Sequence, residues 1–220
     1  MSAIVFDLDG TLIDSAPDIR AAVNRTLEDE GHAALDLPTV ISFIGHGLPR
    51  LVERAMGARG IPMDQHARLT EVTLAHYNAA ANDLTRPYPG VMAMLERLRE
   101  EGHRLGICTN KPEAPARKVL DQFGMAHLFD VVVGGDTLAA RKPDPAPLHH
   151  AFAALGASSG LYVGDSEVDA ETAQAAGIAF AFFTQGYCHV PHDTVHCLAR
   201  FDHFDALAGL VAKGATAPDR

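Results

Sequence analysis

Short β-branched or aromatic runs recur along this chain with helix-period segments between them. AIVFDL occupies 3–8, RLGICT 104–109, DVVVG 130–134, GLYVG 160–164 and IAFAFF 178–183. Runs so continuously apolar offer no solvated face, so they suit parallel strands covered by helices on both sides. The intervening VMAMLERLREEG and APARKVLDQFG carry apolar residues at helical spacing and are closed by Gly102 and Gly124, as helix ends often are. The alternation predicts an α/β fold built on a doubly wound parallel sheet of five strands.

The rhythm breaks once. The first run ends at residue 8 and the second begins at 104, whereas the later ones follow closely. The material between reads as helices only: DIRAAVNRTLEDEG, LPTVISFIG, LPRLVERAMGARG and MDQHARLTEVTLAHYNAAAND, punctuated by Gly, Pro and Asp. This predicts a helical insertion. Residues 16–85 form the inserted helical cap, and 1–15 with 86–220 form the α/β core, which the chain re-enters at RPYPG.

Composition narrows the functions open to such a chain. With 220 residues, 47% of them hydrophobic, it can bury a sizeable core, and only the KGATAPDR tail reads as disordered. A formal charge of -10 without clusters of Lys and Arg argues against nucleic acid and anionic lipid as partners, but not against a small anionic substrate. Cys108, Cys188 and Cys197 are odd in number and lack metal or CxxC spacing, which fits a reducing compartment. No leader pattern is seen, and no stretch approaches the roughly 18 apolar residues of a membrane span. A cytoplasmic monomer or homodimer is expected.

In an open parallel sheet, ligands bind beyond the carboxyl ends of the strands. Those ends carry Asp7 and Asp9 after the first run, Thr109, Asn110 and Lys111 after the second, and Asp165 and Asp169 in GDSEVD after the fourth; Lys142 lies in RKPDP between the third and fourth. Acids, a hydroxyl and a lysine thus converge on one edge. Local roles compete with a functional one: Asp7 and Asp9 suit a turn, Asp165 and Asp169 suit the cap and first turn of a helix, and Lys142 before Pro143 suits a solvated loop.

In order, DLDGT, the Thr109 of CTNKP, the Lys142 of RKPDP and GDSEVD resemble the four motifs of the haloacid dehalogenase-like hydrolase superfamily. Within it, FDLDGTLIDSAPDI, FIGHGLPRLVERAM, YPGV, GICTNKP and GGDTLAARKPDPAPL resemble the phosphoglycolate phosphatase group. The resemblance spans nearly the whole chain. It implies a Rossmann-like core with strand order 5-4-1-2-3, a cap inserted after the first strand, and hydrolysis of a small phosphorylated metabolite.

The residue types suit that chemistry. Phosphate monoesters are among the slowest compounds to hydrolyse unaided, and a covalent intermediate divides the barrier. Asp7, already ionised at neutral pH, serves as nucleophile if cations shield it from the dianionic ester. Mg²⁺ held by Asp7, Asp165 and the backbone carbonyl of Asp9, with Asp169 as a further ligand or an orienting group, supplies one such charge, and Lys142 the other. The Thr109 hydroxyl, Asn110 and nearby backbone N–H groups at helix N-termini hold the phosphoryl oxygens. Asp9 protonates the leaving oxygen and later activates water. In the cap, Gly45, His46 and Arg50 of IGHGLPRL are candidates for binding the leaving group, and the resemblance suggests 2-phosphoglycolate.

Other readings remain. Another small phosphate ester or a nucleotide is a possible substrate. A haloacid dehalogenase would resemble DxYGT, against Asp9. A phosphomutase of the β-phosphoglucomutase type would carry histidine where Ile19 stands. A phosphoacceptor signalling domain would lack both Asp9 and the cap. His189, His192 and His196 in HVPHDTVH read as a polar loop, since no carboxylate or thiol spacing completes a zinc site, and Cys108 reads as core packing.

Overall fold

The computed structural model describes residues 2–80 and 83–212; the KGATAPDR tail, residues 213–220, lies outside them. The chain divides into two compact units, Met1–Ile13 with Pro87–Arg220, and Asp14–Arg86.

Along the chain, β1 (Ala3–Phe6) precedes the short β2 (Ile13–Asp14), in which the chain passes into the helical unit. That unit holds α1 (Ala16–Asp29), α2 (Leu37–Ile41), α3 (Leu48–Arg59) and α4 (His66–Ala79). The return is through β3 (Arg86–Pro87). The larger unit continues with α5 (Val91–Glu100), β4 (Arg104–Cys108), α6 (Glu113–Gln122), β5 (Val131–Val133), α7 (Ala146–Ala154), β6 (Leu161–Gly164), α8 (Glu167–Ala176), β7 (Ala179–Phe183), β8 (Ala199–Phe201) and α9 (Phe204–Ala212).

Its sheet has the order β5-β4-β1-β6-β7-β8, and every pairing in it is parallel. The five expected strands therefore stand in the expected order, and β8 adds a sixth beside β7. At three residues, β8 is too short to declare itself by pattern. The alternation of a strand splits the core in two. Ile4 and Phe6 of β1 join Leu95, Leu98, Val119, Phe183 and Phe204 on one face, under α5, α6 and α9. Ala3 and Val5 join Phe152, Tyr162, Ala173 and Phe182 on the other, under α7 and α8. With both faces covered, β1, β5, β6 and β7 carry only apolar side chains apart from the tyrosine of β6, and charged side chains concentrate at the strand ends.

In the helical unit, α1 packs against α4, and Val23 and Leu27 of the one and Leu69 and Tyr77 of the other are buried. Their buried hydroxyls, Thr26 and Thr73, share a hydrogen bond of 2.9 Å. Among the described residues no helix is long and apolar enough to cross a membrane.

Candidate active site

β1 lies between β4 and β6, where the winding of the sheet reverses, and the ladder runs one residue beyond the strands there. The Asp7 N–H donates to the Val163 carbonyl at 2.8 Å, and the Thr109 N–H to the Val133 carbonyl at 3.0 Å. Both side chains are thereby fixed at the carboxyl edge, at the switch point where such sheets bind ligands.

Asp7, Asp165 and Asp169 are buried there, each with a carboxylate oxygen within 4.8 Å of the others, and together they could hold a metal ion. Lys142 Nζ sits among them, 3.0 Å from Asp7 Oδ1, 2.6 Å from Asp169 Oδ1 and 2.9 Å from the Tyr162 hydroxyl. Asp169 is heavily engaged. Its Oδ1 also accepts from Tyr162 at 2.7 Å, while its Oδ2 accepts from the Ser166 hydroxyl at 2.7 Å and from the N–H groups of Asp165 and Ser166. Asp165 accepts one donor on each oxygen, the Thr11 hydroxyl and the Tyr187 N–H, both at 2.6 Å.

Local structure explains this placement. Ser166 caps α8 and Asp169 answers it from the third helical position, a capping box, so one aspartate both closes a helix end and holds Lys142. Gly10 turns the chain after Asp9 at φ +87, and a Cβ there would lie 2.3 Å from Asp165 Oδ2; the turn and the close approach both require glycine.

Burial sets the electrostatics. It pushes Asp7 up to about 6, with Lys142 offsetting part of the rise and Asp169 adding to it. Asp165 is raised well above the usual carboxylate range by burial and then by the charges of Asp169 and Asp7. Burial alone would lower Lys142, but its two carboxylate partners outweigh that and hold it protonated. Three carboxylates facing one ammonium leave an excess of negative charge in a space poor in water, which a divalent cation would cancel.

The second strand end divides its duties. Thr109 is buried, and its Oγ1 accepts from the Lys111 N–H at 3.3 Å. The Asn110 amide donates to the Lys142 carbonyl at 3.0 Å and accepts from the Lys142 N–H at 3.1 Å, so it grips the backbone of the lysine loop. The Asp9 carboxylate lies outside the three-acid cluster and is met by Lys111 Nζ at 3.0 and 3.2 Å. Neither Lys111 nor Tyr162 is among the residues expected to act. Lys111 stands in plain view in TNK, but its partner is 102 positions away.

In the helical unit, Gly45 and Gly47 have positive φ, His46 is half-buried, and Arg50 pairs with Glu53 at the start of α3, its side chain half exposed. In the larger unit, His189 pairs with Glu167 at 2.9 Å and His192 packs edge-on against Phe182; among the described residues no metal-ligating set forms there. Cys108 is buried and its thiol is pushed up to about 12 by burial, which makes it packing material.

Comparison with known proteins agrees with this geometry. The family model for haloacid dehalogenase-like hydrolases matches residues 4–183. A phosphoglycolate phosphatase of Cereibacter sphaeroides is 51% identical over 97% of this chain and 99% of its own length, and one of Rhodobacter capsulatus is 41% identical over 95% and 96%. The crystal structure of a predicted phosphoglycolate phosphatase from Haemophilus somnus superposes with a TM-score of 0.90 at 31% identity, covering 96% of this chain and 98% of that one. By motif order, sheet topology and this match over most of its length, the chain belongs to the haloacid dehalogenase-like hydrolase family.

Proposed function

We propose that this protein is a Mg²⁺-dependent phosphatase that hydrolyses 2-phosphoglycolate to glycolate and phosphate through an aspartyl phosphate on Asp7. The observation that carries the reading is the buried cluster of Asp7, Asp165 and Asp169 with Lys142, which bonds Asp7 and Asp169, and with Asp9 two residues after Asp7. The choice of substrate is supported by the names of the relatives that match along the full chain. Three thiols outside any disulfide, Cys108, Cys188 and Cys197, support a cytoplasmic setting.

Asp7 and Asp165, with the carbonyl of Asp9, would hold the Mg²⁺, which when bound supplies Lewis-acid charge to the phosphoryl group and shields Asp7 from it. Asp169, with its oxygens already engaged, positions Lys142 and the loop after β6. Lys142 and the Thr109 hydroxyl hold phosphoryl oxygens. An Asp7 oxygen forms the bond to phosphorus as the bond from phosphorus to the ester oxygen breaks, and Asp9 gives that oxygen its proton. Asp9 then takes a proton from water as the water oxygen bonds to phosphorus and the bond to Asp7 breaks, restoring both carboxyl groups.

The test is release of inorganic phosphate from 2-phosphoglycolate with Mg²⁺ present and after chelation, in the native protein and in Asp7→Asn. Turnover is expected only in the native protein with metal. Substantial activity after exhaustive chelation, or in Asp7→Asn, would overturn the mechanism.

A further inference from the structure

Lys111 is assigned no role in the phosphoryl-transfer steps proposed above, yet it is buried at the same edge of the sheet. Its side chain is 6% exposed, that of Asp9 is 14% exposed, and its ammonium spans both Asp9 oxygens. Taking a lysine out of water to pair with one carboxylate returns little stability, because desolvation offsets most of the attraction. The pair therefore calls for a functional account.

We infer that Lys111 is a specificity-determining residue that binds the carboxylate of the leaving group. The inference rests on the phosphoglycolate reading and deepens it. Asp9 can protonate the ester oxygen only from hydrogen-bond distance, about 2.6–3.2 Å. In an –O–CH₂–COO⁻ group the carboxylate begins one carbon beyond that oxygen, so its own oxygens lie roughly 2.6–3.7 Å from it. Lys111 Nζ is 3.0 Å from Asp9. The same acid thus keeps the ammonium within about 10 Å of the substrate carboxylate at the outside, a gap that the flexible stem of a lysine can close.

The charges point the same way. Once Asp9 has given its proton to the ester oxygen, its carboxylate and that of the leaving group are like charges at close range, and in a poorly hydrated site that repulsion is severe without a cation between them. An ammonium carries three donors on a flexible stem, enough to bridge two anions. A leaving group without a carboxylate makes no such demand. The TNK run then serves three ends: Thr109 faces the phosphoryl group, Asn110 fixes Lys142, and Lys111 reads what is attached beyond the ester oxygen.

The experiment compares kcat/KM for 2-phosphoglycolate and for ethyl phosphate, in which a methyl group replaces the carboxylate, in the native protein, Lys111→Met and Lys111→Arg. The native protein should prefer 2-phosphoglycolate. Lys111→Met should lower that preference by roughly 10- to 150-fold, the scale of a hydrogen bond to a charged group, chiefly through KM, and Lys111→Arg should restore part of it. Equal losses on both substrates, leaving the preference intact, would mean that Lys111 serves Asp9 alone and would overturn the inference. Phosphate release by a native protein with no preference would overturn the glycolate reading and this inference together, while leaving the phosphatase chemistry standing. The thermal midpoint reports folding in the same samples. If Lys111→Met does not fold, the ratio is read in Lys111→Gln, which removes the charge and keeps a polar side chain of similar reach.

Discussion

Asn110 illustrates how one side chain of this site can act through the backbone of another residue. Its amide pairs with both the N–H and the carbonyl of Lys142, 32 positions away, and so fixes the loop from which the lysine reaches Asp7 and Asp169. Replacement by alanine deletes both bonds and leaves two buried backbone groups without that partner. Asn110→Ala should lower kcat by about 10- to 100-fold, the effect of misplacing a catalytic group by an ångström or so. It should also destabilise the fold by about 1–3 kcal/mol. Steady-state kinetics and thermal melting on one preparation check both; an unchanged kcat with a lowered midpoint would make Asn110 a loop brace and no more. From sequence, Asn110 reads as a substrate-binding residue; its place at a strand end is visible there, and its bonds to Lys142 are not. Asp169 has the opposite history. Helix cap and site residue are rival readings in sequence, yet one carboxylate fills both roles by placing its two oxygens on different donors.

Elements were legible in proportion to their length and apolar continuity. Five strands could be located because each is a run buried on both faces, and their ends pointed to Asp7, Thr109 and Asp165; β8, with three residues and Arg200 exposed in the middle, carries no such signal. Contacts that close an element onto distant chain were not legible at all. In the helical unit, Asp18 in the first turn of α1 is buried, and its Oδ2 accepts from the Thr85 N–H and hydroxyl, each at 2.6 Å, and from the Leu84 N–H at 3.2 Å. Acid in a first helical turn is explained locally by the helix dipole, which hides this second task. One carboxylate oxygen thus ties the start of α1 to the segment leading into β3. Asp18→Ala should strip three donors of their acceptor and cost about 2–4 kcal/mol of stability, read as a lower denaturation midpoint. Asp18→Asn, whose amide oxygen can still accept, should lose less. Equal losses in the two variants would show that charge, and not the hydrogen bonds, holds the segment.

For the whole molecule, the buried acids link folding, pH and metal. Asp7 titrates near 3.8 when unperturbed and at about 6 in the fold, so between those values the folded state holds a proton that the unfolded chain has released. Stability then falls as pH rises through that window, by at most about 3 kcal/mol for Asp7, and the raised Asp165 carries the decline to higher pH. Glu167 works in the other direction: held near 2 mainly by His189 against the opposing effect of burial, it stabilises the fold above about 4.5 and ceases to do so as pH drops toward 2. Lys142, raised and protonated throughout, adds no slope between them. The metal-free protein should therefore be more stable near pH 5 than near pH 8. A divalent ion competes with protons for the same carboxylates, so it should stabilise more where the protons have left. At about a hundred times its dissociation constant, Mg²⁺ should add about 2.7 kcal/mol at pH 8, raising the midpoint by about 5–10 °C in a chain of this size, and distinctly less at pH 5. Thermal melts with Mg²⁺ and with chelator at the two pH values, repeated in Asp165→Asn, would read this directly. A Mg²⁺ shift of the same size at both pH values, or one that survives in Asp165→Asn, would mean that the ion binds somewhere other than the acids at the end of the sheet.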